Sequence, residues 1–232
     1  MNRRFDPSRI VALLCLAAVP LAAVAQTSSN PPAASTPNSI SPVIAQEVTP
    51  PRPGAWTLDP GLAGQLDKPR TIDEFTINPP AGFKSLDKES PDGAGHTYEW
   101  TMKIRPNGTQ PELDLAVAIA PKDQTGQFTP ASILATFVDG LRGSQLNWKS
   151  TETQKGSVNS IPFMRQYWAG IDDNKGFISK GFVYVSEPSP GKFLIVDGRD
   201  AEPDVDTDLP LLEAAALTCR QKGAPAPAGA PK

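Results

Sequence analysis

The stretch IPFMRQYWAGIDDNKGFISKGFVYVSEPSPGKFLIVDG, residues 161–198, decides the fold that the sequence predicts. Two clusters of turn-forming residues, 172–176 and 187–191, divide it into three segments of strand length. Both connections have the length of a hairpin loop, so the stretch predicts three consecutive antiparallel strands. Apolar residues occupy both parities in 181–185 and 193–196. Because successive side chains point to opposite faces of a strand, we expect both faces of this sheet to be covered.

Four further strands are predicted outside this meander. Alternation of apolar and polar residues predicts strands over 96–104 and 113–119. A short strand is predicted over 74–80, and a polar strand rich in β-forming residues over 148–157. The sequence contains no internal repeat.

Two helices complete the predicted fold. Thr129 is a natural N-cap, Pro130 suits the first helical position, and Gly143 is a plausible stop. The second helix is predicted over 208–221, with Pro210 in its first turn. With helices available for both faces, the predicted class is α/β (α+β), a three-layer α/β/α sandwich on a mainly antiparallel sheet.

Residues 1–25 have the pattern of a secretory signal. Three arginines precede an apolar run over 10–24, and the small-x-small sequence at 23–25 resembles a cleavage site. The apolar run is short for a membrane span, although an uncleaved anchor is the alternative. Removal of residues 1–25, which hold three arginines and one aspartate, would change the formal charge from −3 to −5. An acidic protein is a poor candidate for binding nucleic acid.

Composition divides the rest of the chain. Residues 26–65 are rich in Pro, Ser and Ala and predict a disordered linker, and the similar residues 223–232 predict a disordered tail. Residues 66–222 have the length and apolar content of one globular domain. The segment 56–67 is open to two interpretations: more linker, or a short docking segment in which the apolar side chains of Trp56, Leu58 and Leu62 touch the core.

Neither the histidine nor the cysteine of the domain predicts catalysis. His96 is the only histidine, and its polar surroundings favour a surface position over a Ser-His-Asp triad. The sequence has no Gly-x-Ser-x-Gly elbow. After signal cleavage Cys219 would be the single cysteine, so no intramolecular disulfide is possible, and its apolar neighbours favour a core residue. We assign no catalytic, cofactor-binding or metal-ligating residue and no cofactor.

An acidic run over 200–208 places a carboxylate at every second position. A calcium loop that began at Asp204 would need Gly and Glu at two positions that hold Leu209 and Ala215. We therefore interpret the run as a solvated helix entry at the positive end of the helix dipole.

The remaining candidate residues each have a structural interpretation. The sequon at 107–109 is interpreted as a turn. Tyr167 and Trp168 have opposite parity and, with Trp148, form either interlayer packing or an aromatic binding face. Four positive residues of the meander predict a solvated face: Arg165, Lys175, Lys180 and Lys192.

The order of elements resembles the PsbP-like family, which includes the extrinsic lumenal protein of photosystem II and the Ran-binding Mog-type proteins. Five segments between residues 75 and 221 carry the resemblance: FTINPPAGF, TPASILATFVDGL, GSVNSIPFMRQYWA, GFVYVS…GKFLIVDG and LPLLEAAALTC. The resemblance implies an α/β/α sandwich that acts as a binding or assembly module without a shared catalytic motif. The Pro-rich N-terminal linker departs from the photosynthetic members.

We therefore expect an exported, non-enzymatic binding or assembly module, periplasmic or secreted and monomeric, with no membrane span after signal cleavage. Its partner would be a protein or envelope component, bound at the turns 172–176 and 187–191, at a sheet edge or on the meander surface. The alternative is a carrier of a small molecule or a divalent metal (Ca/Mn) that uses either a pocket between the layers or the acidic residues 200–208. A hydrolase that uses His96 is a third hypothesis.

Overall fold

The computed structural model describes residues 47–89 and 95–231. The predicted signal over 1–25 and the first part of the predicted linker, 26–46, lie outside the described residues. In the described part the strands are β1 (Arg70–Ile72), β2 (Phe75–Ile77), β3 (Lys84–Glu89), β4 (Gly95–Thr101), β5 (Glu112–Ile119), β6 (Gln145–Ser150), β7 (Gln154–Val158), β8 (Ile161–Asp172), β9 (Ile178–Ser189), β10 (Lys192–Ala201) and β11 (Arg220–Gln221). The helices are α1 (Pro60–Ala63), α2 (Pro130–Arg142) and α3 (Val205–Ala216), and a 3₁₀ turn spans Lys122–Gln124.

The larger sheet has the order β3-β4-β5-β10-β9-β8-β6, and β7 pairs with β8 beside β6. All of its strand pairs are antiparallel, which confirms the predicted sheet. β8, β9 and β10 form the predicted meander, and β10 enters between β9 and β5. A smaller sheet has the order β1-β2-β11, so the strand predicted over 74–80 exists but belongs to this second sheet.

Helices cover both faces of the larger sheet, as the predicted sandwich requires. α2 packs on β6, β8 and β9, and α3 packs on β9 and β10 from the other side. We call these two sides the α2 face and the α3 face. Residues of β5 show the alternation: Leu113 and Leu115 lie in the core cluster of α3, whereas Ala116 and Ala118 lie in the core cluster of α2.

The N-terminus of α2 confirms the predicted cap. Thr129 Oγ1 accepts a hydrogen bond from Ser132 N at 3.2 Å, and Thr129 N donates to Ser132 Oγ at 2.9 Å. This reciprocal capping box satisfies two donors that the first turn would otherwise leave unpaired. The last helical residue is Arg142, and Gly143 is the C-cap, in agreement with the predicted stop.

The structure departs from the prediction at several elements. β1 is an additional strand, and the strand predicted over 96–104 already ends at Thr101. The residues 148–157 form parts of two strands, because β6 and β7 both pair with the long β8 and the chain turns between them. β3 was not predicted, since its polar sequence lacks an apolar alternation. α3 runs from Val205 to Ala216 instead of over the predicted 208–221, so Pro210 lies inside the helix rather than in its first turn, and residues 220–221 form β11. None of the helices in the described residues is long and apolar enough to cross a membrane.

Both chain ends of the described part pack on the domain. Residues 47–58, which we call the strap, run along β8: Val48 is buried against Ala169 and Ile171. Trp56 packs against the α3-face core, together with Leu58 and Leu62. This differs from the predicted linker over 26–65 and agrees with the docking alternative. The predicted disordered tail differs as well, since the carbonyl of Pro231 accepts from Asn78 Nδ2 at 3.0 Å.

Candidate functional site

Arg165 lies within β8 on the α3 face, with only 2% of its side chain exposed. Burial of a guanidinium group is unfavourable by several kcal/mol unless its donors find partners. Three elements of the fold supply them. Arg165 Nε donates to Gln154 Oε1 of β7 at 3.0 Å, and Nη1 donates to Tyr184 Oη of β9 at 3.0 Å. Glu213 Oε1 of α3 lies 3.5 Å from Nη1 and provides the opposite charge.

The carboxylate of Glu213 also accepts from two tyrosines. Tyr184 Oη donates to Glu213 Oε1 at 2.7 Å, and Tyr167 Oη donates to the same oxygen. Burial, followed by the charge of Glu213, raises the pKa of both tyrosines above the ordinary value. Both hydroxyls therefore remain protonated donors at neutral pH, and the network gathers around one carboxylate oxygen.

The strap supplies the remaining partners of Arg165. Nη2 donates to the carbonyl of Gly54, and Nη1 donates to the carbonyl of Ala55 at 3.4 Å. The guanidinium carbon lies 4.0 Å from the ring centroid of Trp56, which is a cation–π contact. The indole also meets Tyr184 edge-on, with 5.6 Å between ring centroids. The strap thus covers a charge that would otherwise face solvent at this side of the sheet.

Gly156 of β7 makes room for the indole of Trp56. A Cβ at this position would lie 2.1 Å from Trp56 Cε2, which is far inside van der Waals contact. Only glycine lets the ring lie this close to the strand backbone. We call the five residues that hold the strap the strap seat: Gly156, Arg165, Tyr167, Tyr184 and Glu213.

The prediction of a solvated positive face is therefore wrong for Arg165, which is buried. The other three residues lie at the surface and have partners. Lys175 Nζ donates to the carbonyl of Gly108, Lys180 forms an ion pair with Asp206, and Lys192 forms one with Glu74. Three members of the strap seat, Arg165, Tyr167 and Tyr184, belong to the meander strands β8 and β9 and are buried, and the predicted turns 172–176 and 187–191 contribute none of its residues.

Three carboxylates of the acidic run surround Arg105, from the connection between β4 and β5. Arg105 donates to both oxygens of Asp200 at 2.8 Å, and it forms ion pairs with Asp204 at 3.0 Å and Asp208 at 2.6 Å. The side chain of Asp200 is fully buried, so the run is a clamp on a guanidinium rather than a solvated helix entry. The hydrogen bond to Asp200 raises the pKa of Arg105. A divalent cation would have to displace this side chain.

His96 and Cys219 lie in different environments. His96 is half-buried, with Nε2 3.0 Å from Asp87 and Nδ1 3.8 Å from Asp73. Cys219 is fully buried beyond the C-terminus of α3, and burial raises its pKa to about 12. Its thiol is therefore protonated and packed in the core. Over 47–89 and 95–231, no three His, Cys, Asp or Glu side chains form a group that could hold a metal ion.

The aromatic residues pack on opposite faces, as their parity requires. Trp148 and Trp168 stack on the α2 face, with 5.2 Å between ring centroids and 13° between planes. Tyr167 lies on the α3 face in the strap seat. Trp168 and Tyr167 are both buried, which agrees with interlayer packing. At 107–109 the predicted turn is present, and Thr109 N donates to Asn107 Oδ1 at 3.0 Å.

Two buried aspartates were not singled out by the sequence analysis. Asp114 of β5 and Asp197 of β10 are direct register partners on the α2 face. In the sequence, the one indication of these buried charges is that a charged residue stands within an otherwise apolar strand. Arg165 in β8 shows the same pattern. The sequence could not show that the two aspartates face each other, because register is a property of the folded sheet.

Comparison with known proteins gives weak likenesses. No family model matches the sequence, and no curated protein matches it. Among solved structures, a protein from Bacteroides thetaiotaomicron aligns with a TM-score of 0.39 and 6% identity over 67% of this chain and 48% of that one. This chain therefore spans about half the length of the Bacteroides protein.

Two further structures align over more of their own length. The Ran-binding protein Mog1p of Saccharomyces cerevisiae has a TM-score of 0.44 and 8% identity, over 67% of this chain and 95% of that one. LpqN of Mycobacterium tuberculosis, described as involved in cell envelope biogenesis, has a TM-score of 0.41 and 16% identity, over 65% and 85%. A Mog-type protein is thus among the similar structures, as the predicted resemblance named. Likeness at this level assigns neither a family nor a function, and membership of the PsbP-like family stays a prediction.

Proposed function

We propose that this chain is an exported, non-enzymatic binding module that receives an extended segment of a protein partner in the strap seat. The observation that carries the proposal is the pair of hydrogen bonds from Arg165 to the main-chain carbonyls of Gly54 and Ala55. Every residue of a peptide has such a carbonyl, so this part of the recognition is independent of sequence. The slot over Gly156 adds a requirement for a flat aromatic side chain.

The strap is held by few groups, which favours exchange. Residues 52–55 are exposed, although the carbonyls of two of them are hydrogen-bonded to Arg165. The apolar anchors are Val48, which is buried, at one end and the partly buried ring of Trp56 at the other. Local segments with few buried apolar contacts open at a small fraction of the global free energy of unfolding. A partner segment therefore has access to the seat without unfolding of the domain.

Proline content explains why an extended segment suits this seat. Pro50, Pro51 and Pro53 fix φ near −65° and restrict the free strap to extended conformations. Docking of such a segment loses less conformational entropy than docking of a flexible one, which is the principle of proline-rich peptide recognition. We expect a partner with the same features, namely an extended proline-rich segment that ends in an aromatic residue.

The tethered strap competes with any partner. A short tether gives the strap an effective concentration on the order of 1 mM at its own seat. A partner segment must bind more tightly than the strap, or meet a protein whose strap is displaced. The seat is therefore regulated by its own chain.

The chemistry of the other polar clusters supports binding rather than catalysis. Cys219 is protonated and buried, His96 lies between two aspartates, and Arg105 occupies the acidic run. Export rests on the signal pattern of residues 1–25. We place the protein in the periplasm or outside the cell, with a protein or envelope component as its partner.

A peptide of residues 47–58 tests the proposal on the full chain. Trp56→Ala empties the indole slot, so a fluorescent peptide that retains Trp56 should bind this variant with saturable anisotropy, and bind the unaltered chain at least tenfold more weakly. Adding Gly156→Ala fills the slot and should abolish binding. A peptide with Ala at position 56 is the matched control. If folded Trp56→Ala protein gives no saturable binding at millimolar peptide, the seat does not accept a segment in trans and the proposal fails.

A further inference from the structure

Two aspartates face each other across the seam between β5 and β10. Asp114 and Asp197 are direct register partners in the antiparallel pair, and their side chains lie on the α2 face. Asp114 is 2% exposed and Asp197 is 4% exposed. The Cβ atoms of directly opposed residues lie about 4.5–5.5 Å apart, so the two carboxyl groups are within reach of each other.

The surroundings add negative charge rather than remove it. Glu99 of β4 is the register partner of Asp114 on its other side, and Glu112 precedes Asp114 by two residues on β5. The cation that acts on the pair is Arg199 of β10, which donates to Glu112 Oε2 from Nε at 2.8 Å and from Nη2 at 2.5 Å. On β9 the residue opposite Asp197 is Val183, which is uncharged.

The helix on this face, α2, packs on β6, β8 and β9 rather than directly on the strands of the pair. α2 packs on the sheet through apolar side chains: Ile133, Leu134, Phe137, Val138 and Leu141. Asp114 Oδ1 is buried and has no hydrogen-bond partner among the described residues. A buried carboxylate oxygen without a donor is unfavourable by about 1–3 kcal/mol or more. A proton held between the two carboxyl groups would supply the missing hydrogen bond and remove one negative charge.

We propose that Asp114 and Asp197 share one proton at neutral pH, and that this shared proton stabilises the pairing of β5 with β10 in a pH-dependent way. In the shared state one carboxyl group is the acid and donates its O–H to the other, which is the carboxylate. Loss of the proton leaves two facing carboxylates with no donor between them. Loss of the proton therefore weakens the pairing of β5 with β10, which joins the three strands β3, β4 and β5 to the meander.

The direction of the pKa shifts agrees with this geometry. Burial raises the pKa of Asp114 well above its ordinary value, and the charge of Asp197 raises it further. Burial raises the pKa of Asp197 to about 7, although Arg199 opposes the shift. An aspartate in the unfolded chain has a pKa of about 4. Above about pH 4 the folded state therefore binds more protons than the unfolded state, so the free energy of unfolding falls as pH rises, through the loss of the first proton near pH 7 and until Asp114 has also lost its proton.

Thermal unfolding of the full chain between pH 5 and pH 8.5 tests the switch. We expect the Tm to fall by on the order of 10 °C between pH 5 and pH 8. Asp197→Asn keeps the shape of a protonated acid and supplies donors, so it should flatten this slope and raise the Tm at pH 8 above that of the unaltered chain. Asp123→Asn, at an exposed position, is the matched control and should keep the slope.

A second measurement does not depend on variants that fold. The carboxyl ¹³C resonances of Asp114 and Asp197 should move together and have their first midpoint near pH 7. Amide hydrogen exchange in β5, corrected for intrinsic rates, should accelerate above that pH more than exchange in β8. Titration of both resonances near pH 4 would overturn the proposal. So would an Asp197→Asn variant that lowers the Tm equally at every pH, because that result describes packing alone.

Discussion

The indole of Trp56 occupies the space that any side chain at Gly156 would need. A Cβ at Gly156 would lie 2.1 Å from Trp56 Cε2 and 2.4 Å from Cδ2. A hundred residues separate this tryptophan from its glycine in sequence. The contact connects the N-terminal strap to β7, next to the guanidinium of Arg165.

Gly156→Ala should displace Trp56 and loosen the strap. The added methyl group cannot be accommodated by a small side-chain shift, so we expect a loss of about 1–3 kcal/mol in the free energy of unfolding. Limited proteolysis within residues 47–58 should become faster, and the tryptophan fluorescence should shift to the red. Gly54→Ala is the matched control, because no atom lies within 4 Å of a Cβ there. Equal protease resistance of the two variants would contradict the seat.

Arg165→Met should destabilise the fold by about 2–4 kcal/mol, since it removes the charge that faces Glu213 and the donors to the strap carbonyls. Arg165→Lys should restore little, because an ammonium group lacks the planar fork of donors. The double variant Arg165→Met with Glu213→Gln should lose less free energy of unfolding than the sum of the losses in the two single variants. The four proteins to compare are the unaltered chain, Arg165→Met, Glu213→Gln and this double variant. Denaturant unfolding of the four proteins measures this coupling, and strict additivity would show that the two side chains do not interact.

Arg105→Gln should lower the free energy of unfolding by about 2–4 kcal/mol, because buried Asp200 loses its opposite charge. Lys180→Gln is the control: its partner Asp206 is 81% exposed, and we expect a change of about 0–1 kcal/mol. Calorimetry with Ca²⁺ and Mn²⁺ on the unaltered chain should give no binding heat, since Arg105 occupies the carboxylates. Saturable heat at millimolar ion would favour the carrier alternative.

Cys219 should be inert in the folded protein. Burial raises its pKa to about 12, so at pH 8 the thiol is both protonated and inaccessible. In a Cys15→Ser chain, where Cys219 is the single thiol, a thiol reagent should label the protein only at the rate of opening and completely in denaturant. Rapid stoichiometric labelling of the native protein would mean that the region between α3 and β11 is open.

Local chemistry made the meander and α2 predictable from the sequence. Turn formers divide residues 161–198, and Thr129 with Pro130 begins a helix in any context that permits one. β3 escaped because Lys84–Glu89 is an edge strand whose described side chains are exposed, so burial leaves no pattern in its sequence. Composition shows that the segment before the domain is rich in proline, but it does not show that the strap packs on the domain.

The candidate sites depend on contacts distant in sequence. The sequence predicts a solvated face for Arg165 because nothing near it in sequence shows the strap that covers it. Likewise, nothing near residues 200–208 in sequence shows Arg105, which reaches them from the connection between β4 and β5. Asp114 and Asp197 became a pair only through register. A charged residue within an apolar strand was the one local signal, and it indicates that a partner exists without identifying it.

The C-terminal tail has a consequence for how the chain can be reconnected. A Cβ at Gly229 would lie 3.2 Å from Cβ of Ala63, so the tail finishes beside α1. A short linker from Pro231 to Asp59 would therefore close the domain into a ring, which could be reopened at the turn over 172–176. Such a circular permutant would keep both sheets and both long helices while omitting residues 1–58. It would separate the folding of the domain from the presence of the strap, with the seat open from the moment the protein is made.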